Sequence, residues 1–190
     1  MKITLDEGYQ FGLGVFETIA VEQNRPLLLE EHLERLHHSL CALHINKTIK
    51  ADEVFDFLSG HNLEHHALKL MVSAENTLFT VRPNPYPAYN GTVTVPESTQ
   101  MFHLSISSVR RNETSPLVFH KTMNYADNLL EKRRVLRPSD LTSMDECFVT
   151  NSLMGIMPVQ SLDSYTFHPY GMYADIQNFY AEYVRLHRTP

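Results

Sequence analysis

The chain has 190 residues, with 16 Lys+Arg against 22 Asp+Glu and a net charge of −6 when histidine is neutral. That acidic balance argues against a nucleic-acid binder, which needs a basic face, and 10 Pro with 7 Gly are too few for a low-complexity or collagen-like chain. At about 150 residues per domain the length allows one domain or two small ones, and with only Cys41 and Cys147, no signal-like opening and no apolar run near about 18 residues, a soluble cytoplasmic protein with no membrane partner is expected.

Val15 to Val21 (VFETIAV) is rich in β-branched and apolar residues and suits a largely buried strand. Glu22 to Pro26 is turn chemistry, after which Leu27 to Leu29 is placed to pair back as a hairpin. Leu29, Leu33, Leu36, Leu40 and Leu43 then recur at helical spacing, with Glu30 and Glu31 at the positive end of the helix dipole. A second helix is expected over Asp52 to Leu58, ended by Gly60, followed by strands over Ala67 to Ser73 and Leu78 to Val81. Arg82 to Pro96, with prolines at 83, 85 and 87, reads as an irregular stretch and places a lobe boundary nearby. Beyond it come a strand over Phe102 to Val109, a helix over Thr122 to Arg134, a short buried strand over Cys147 to Val149 and a terminal helix over Gly171 to Leu186 with Ile176, Tyr180, Tyr183 and Val184. The order, without regular βαβ alternation, favours α+β.

Four stretches carry chemistry. Lys121, at the boundary between a loop and a helix, is placed where desolvation lowers an ammonium pKa and makes a nucleophile, with Asn124 and Tyr125 one turn on. Gly8 to Ile19 contains a Gly-x-Gly, but a strand follows it, so it is not a dinucleotide fingerprint. Thr150 to Val159 offers hydroxyls at Thr150 and Ser152, together with amides, for an anion. His61 to His65 spells H-x-x-E-H, yet Gly60 and Asn62 weaken the helix a zinc site needs, so no metal is expected, and His37, His38, His65 and His66 read as solvated face residues.

Taken in order, DEGYQFGLGVFETI, LLLEEHLERL, HKTMNYADNLLEKRR and DECFVTNSLMGIMPV resemble the fold-type IV, pyridoxal-phosphate-dependent class IV aminotransferases. That family includes branched-chain and D-amino-acid aminotransferases and 4-amino-4-deoxychorismate lyases, and the likeness is nearest to the last. It implies an α+β, two-lobe, D-amino-acid-aminotransferase-like fold, a homodimer, an amino-acid-like small substrate and pyridoxal 5'-phosphate as cofactor. By motif, Lys121 resembles the lysine that carries the cofactor and shuttles the α-proton, Arg35 the phosphate-binding arginine, Tyr125 the phenol beside the ring oxygen, and Ser152 part of the phosphate cup. Thr18 in F-E-T stands where lyases resemble one another in having threonine, placed to relay a proton during elimination. The implied reaction yields 4-aminobenzoate and pyruvate, for folate synthesis; class IV transamination is the alternative.

One departure runs against this. Roughly 70–80 residues of the family's larger lobe, about half of a small domain, have no counterpart between the lysine helix and the last block, with a splice-like join at Leu136 to Ser143. The glutamate facing the pyridine nitrogen would fall in that gap, and neither Asp127 nor Glu131 is an obvious substitute. The expected division is therefore an N-terminal lobe over residues 1–100 and a shortened C-terminal lobe over 101–190 carrying Lys121, and an inactive, partner-binding dimer is the third expectation.

Overall fold

The computed structural model describes residues 2–86, 102–105, 114–125, 144–168 and 171–187. They fall into two compact units: residues 2–85 and 114–125 belong to one, and residues 102–105, 144–168 and 171–186 to the other.

The first unit opens on α1 (Glu7–Phe11), whose amide at Tyr9 is capped by Asp6 Oδ1 at 3.0 Å. The second Asp6 oxygen accepts from Ser73 Oγ at 2.6 Å and from the Glu75 amide at 3.0 Å. Burial works to raise the Asp6 carboxyl, but the hydrogen bonds from Ser73, Glu75, Tyr9 and Asn76 outweigh it and hold the pKa at about 2, below the ordinary 3.8. Asp6→Ala is expected to cost about 1–2 kcal/mol in urea unfolding, the value of a helix cap with added charge-assisted bonds. A depressed carboxylate stabilises above its unfolded pKa, so this increment is lost as pH falls from the ordinary 3.8 toward about 2. Gly12, at φ 74°, turns the chain out of α1, its amide donating to the Gly8 carbonyl.

β1 (Gly14–Glu22) is the centre of the first sheet, whose order is β2–β1–β3–β4 with every pairing antiparallel. Gln23 and Asn24, both at positive φ, make a tight turn into β2 (Arg25–Pro26). The hairpin is thus shorter than the expected Leu27 to Leu29 pairing: the turn takes only two residues, so Val21 meets Pro26 and only the Leu27 amide continues, to the Ala20 carbonyl. α2 (Leu29–Ala42) buries Leu29, Leu33, Leu36 and Leu40, and α3 (Ala51–Ser59) buries Val54 and Leu58. Both pack on the sheet face that carries Val15, Ile19 and Val21 of β1 and Leu68, Leu70 and Val72 of β3 (His65–Ser73). Period-two alternation sends Phe16, Thr18, Lys69 and Met71 to the opposite face.

β4 (Thr77–Pro83) runs longer than expected and takes in Arg82 and Pro83. It is an edge strand, where a residue without an N–H is tolerated. His37 and His65 are tethers rather than solvated residues: His37 Nε2 accepts from the Ile49 amide at 3.0 Å, and His65 Nδ1 lies 2.6 Å from Glu22 Oε1. His61 lies beyond α3, with Nδ1 2.8 Å from the Phe57 carbonyl, while His65 starts β3, so the two sit on different elements.

The contacts do not divide at residue 100. Residues 121–123 join the first sheet along the N-terminal half of β1: the Phe16 amide donates to the Lys121 carbonyl at 2.9 Å, the Met123 amide to the Gly14 carbonyl at 2.7 Å, and Val15 pairs with Thr122. Gly14 permits this approach, since a Cβ there would lie 2.5 Å from Met123 Sδ and 2.7 Å from the Val72 carbonyl. The segment carrying Lys121 therefore belongs with the first unit. The helix expected over Thr122 to Arg134 lies outside the described residues beyond Tyr125, as do Asp127, Glu131 and the join at Leu136 to Ser143.

The second unit has β7 (Gly155–Leu162) at its centre, parallel to β5 (Phe102–Leu104) and antiparallel to β6 (Phe148–Asn151) and β8 (Tyr165–Thr166). β6 is largely exposed rather than buried, being an edge of this sheet. α4 (Gly171–Leu186), the expected terminal helix, buries Tyr173, Ala181 and Val184 and leaves Tyr183 exposed. Among the described residues no helix is long and apolar enough to cross a membrane.

Candidate active site

Phe16, Thr18 and Lys69 share the open face of the first sheet, with Thr18 directly across from Lys69 and Lys69 across from Thr80. Because Val15 pairs with Thr122, Lys121 comes to the Phe16 side. The Phe16 ring collects three groups: Lys121 Nζ at 5.1 Å from its centroid, Lys69 Nζ at 4.9 Å, and the Tyr125 ring edge-on at 5.0 Å. Lys121 is partly buried, and that burial is the largest influence on it, lowering its pKa below the usual lysine value. Glu17 opposes the shift, while the charges of Arg35 and Lys69 deepen it.

Glu17 points the other way, toward α2, where it is 1% exposed. Arg35 Nε donates to Glu17 Oε1 at 2.7 Å and Arg35 Nη2 to Oε2 at 2.6 Å, a bidentate pair. His32, one helical turn before Arg35, brings Nδ1 to 2.7 Å from Oε2. A carboxylate so placed requires the proton on Nδ1, so Nη2 and Nδ1, 3.3 Å apart, are two donors converging on one oxygen. Burial pushes the Glu17 carboxyl up, but the bonds from Arg35 and His32 outweigh it and hold it below the usual glutamate value. In return, the bond to Glu17 raises the Arg35 pKa.

Four of the five residues singled out from the sequence, Thr18, Arg35, Lys121 and Tyr125, lie in this one unit, and the charge of Arg35 acts on Lys121. Ser152 lies in the second unit, in the turn between β6 and β7, where Asn151 Oδ1 accepts from the amides of Leu153 and Met154 at 2.9 Å each. Glu17, His32 and Lys69 were not singled out. The available signal was a charge inside an apolar strand, Glu17 in VFETIAV and Lys69 in ALKLMVS.

The amino-transferase class IV model matches residues 14–137 of this chain. The chain belongs to the class IV aminotransferase family. The match runs from the start of β1 through the Lys121 segment, and so takes in the whole Phe16 face. The aminodeoxychorismate lyase of Bacillus subtilis (strain 168) is 40% identical over 53 residues, which are 28% of this chain and 18% of that protein. The 4-amino-4-deoxychorismate lyase structure from Pseudomonas aeruginosa superposes with a TM-score of 0.75 at 19% identity, over 96% of this chain and 95% of that one. An aminotransferase from Brucella abortus, solved bound to its cofactor PLP, gives a TM-score of 0.68 at 14% identity, over 97% and 95% of the two chains. Likenesses at this identity fix the fold, which is the α+β fold-type IV architecture expected from the four motifs.

Proposed function

We propose that this class IV chain is a pyridoxal 5'-phosphate enzyme that eliminates pyruvate from 4-amino-4-deoxychorismate and leaves 4-aminobenzoate. The observation that carries the reading is the Phe16 face, where a desolvated Lys121 amine, the Thr18 hydroxyl position and a second cation at Lys69 lie together. The residues present fit the cofactor. An amine with a lowered pKa suits an aldehyde, and Arg35 keeps Nη1 without a hydrogen bond among the described residues, an edge that suits a phosphate. Tyr125 and Ser152 are assigned to the ring oxygen and the phosphate by motif.

When bound, the cofactor supplies an electron sink for the substrate's α-carbon. Lys121 takes the α-proton at Nζ, with its lowered pKa bringing it nearer neutral pH as a base. Lys69 offers its ammonium to a substrate carboxylate on the same face, across from the Thr18 position. Thr18 passes a proton at Oγ toward the departing enol. Glu17, the carboxylate whose charge acts on Lys121, is committed to Arg35 and His32, so it does not serve the pyridine nitrogen. Leu5, Phe11 and Phe119 stand 68%, 73% and 84% exposed on the same unit, and, with the family resemblance, we assign these apolar side chains to contact with a second copy of the chain.

The test is pyruvate release from 4-amino-4-deoxychorismate with no amino acceptor present. Wild-type protein is expected to release it and Thr18→Ala to do so about 10²-fold more slowly, the low end of a positioned proton-transfer group. Turnover that demands a keto-acid acceptor turns the assignment to transamination, and a purified protein that never takes up the cofactor overturns both.

A further inference from the structure

We propose that Glu17, backed by His32, is a positioning residue: it clamps the side edge of the Arg35 guanidinium so that the end edge stands ready for the cofactor phosphate. The proposal rests on the cofactor reading above.

A carboxylate that is 1% exposed in an otherwise apolar strand is costly to bury, and replacing such a buried ion pair by apolar residues is often neutral or stabilising. Stability alone is therefore a weak reason for Glu17. Its geometry suggests another. The two bonds from Arg35 use Nε and Nη2, the side of the guanidinium fork, and leave Nη1 and the second Nη2 hydrogen pointing along the end edge. The Arg35 side chain is 52% exposed, so without a clamp its long stem would sample many rotamers. Fixing it before the anion arrives removes that ordering cost from binding.

His32 completes the device from the far side. It is buried, sits at i−3 from Arg35 on α2, and donates from Nδ1 into the same oxygen that accepts Nη2. Glu17 is thus held by three bonds of 2.7 Å or less, all of them from one turn of α2. The charges gathered here are Glu17 against Arg35, Lys121 and Lys69, so the clamp does not cancel the positive field that draws an anion.

The test compares the dissociation constants of pyridoxal 5'-phosphate and of pyridoxal, which lacks the phosphate, by absorbance titration of the cofactor-free protein. Their ratio isolates the phosphate contribution, because any change at Lys121 is common to both ligands. Glu17→Gln is expected to lower the preference for the phosphorylated ligand about tenfold, the loss of one charge-assisted bond. The double variant with Arg35→Ala should fall no further than Arg35→Ala alone, since Glu17 acts through Arg35. A wild-type ratio in Glu17→Gln, whatever its stability, overturns the proposal.

If Glu17→Gln does not fold, His32→Phe removes the far-side donor and is expected to lower the ratio about threefold, and an unchanged ratio again overturns it. The Arg35 Nε–H NMR signal of the cofactor-free protein supplies a readout without ligand. It should be protected from exchange in wild type and released in the variants. Wild-type protein with no preference for pyridoxal 5'-phosphate over pyridoxal defeats the cofactor reading itself; in that case a protected Arg35 signal still upholds the clamp and a mobile one defeats it.

Discussion

Lys121→Ala is expected to abolish covalent cofactor uptake and to lower turnover by about 10⁴-fold or more, the upper end of what a positioned proton-transfer group supplies. The residue is expected to hold the cofactor and to move the α-proton, so one truncation removes both roles. In wild-type protein, borohydride should fix the cofactor mass on the peptide containing Lys121 and erase the near-visible absorbance; in the variant neither change should occur. Lys69→Ala is the control, because Lys69 shares the Phe16 ring at a similar distance but sits on β3 and is not the residue of the K-x-x-N motif. Fixation that moves to Lys69, or that survives Lys121→Ala, defeats the assignment.

The same lysine has a pH signature in the cofactor-free protein. Burial, with help from Arg35 and Lys69, lowers its pKa below the ordinary 10.5, so its labelling by a small aldehyde should reach half-maximum at a lower pH than that of an exposed lysine. Removing the Lys69 charge should move that midpoint up, and removing the Glu17 charge should move it down. These opposite signs separate an electrostatic cause from general loosening of the fold.

The parts of this arrangement that were legible in the sequence are those written in local pattern. The leucine stripe of α2 fixed the helix, and with it the position of Arg35 on its outer edge. The K-x-x-N segment flagged Lys121, and the four motifs in order gave the family. What the pattern hid was the pairing of distant segments. Nothing in HKTMNY announces that its backbone adds to the edge of β1, and so a lobe boundary near residue 100 separated Lys121 from the strand it lies against. Glu17 and Lys69 were passed over because β-strand composition is read from its apolar majority, whereas here the minority residues at alternating positions define the two faces. Pro83 looked like an end to sheet structure, but at an edge strand the missing N–H costs no ladder bond. Edge position also explains why β6 was expected to be buried and is not.

Arg35→Ala has the largest expected effect on stability, because it leaves Glu17 buried with His32 as its single remaining partner. Breaking a buried pair from one side costs about 3–5 kcal/mol; since the Arg35 side chain is itself 52% exposed, solvent screening brings the expected cost below that range, to about 2–3 kcal/mol in urea unfolding at neutral pH. The sign of the pH dependence distinguishes this cause from lost packing. In wild type the folded carboxyl of Glu17 lies below its usual 4.5, so its contribution is present above that value and fades as pH falls through the folded pKa. In the variant, burial is opposed only by His32 and the folded pKa rises; a raised carboxyl stabilises below the unfolded pKa and loses that contribution as pH climbs. The gap between the two proteins should therefore be small near pH 4 and widen toward neutrality. Arg35→Ala/Glu17→Leu should recover much of the loss and remove the pH dependence, because no charge is then left to bury. A deficit of equal size at acid and neutral pH would show that Arg35 matters through the packing of its stem, and that Glu17 is not held by charge.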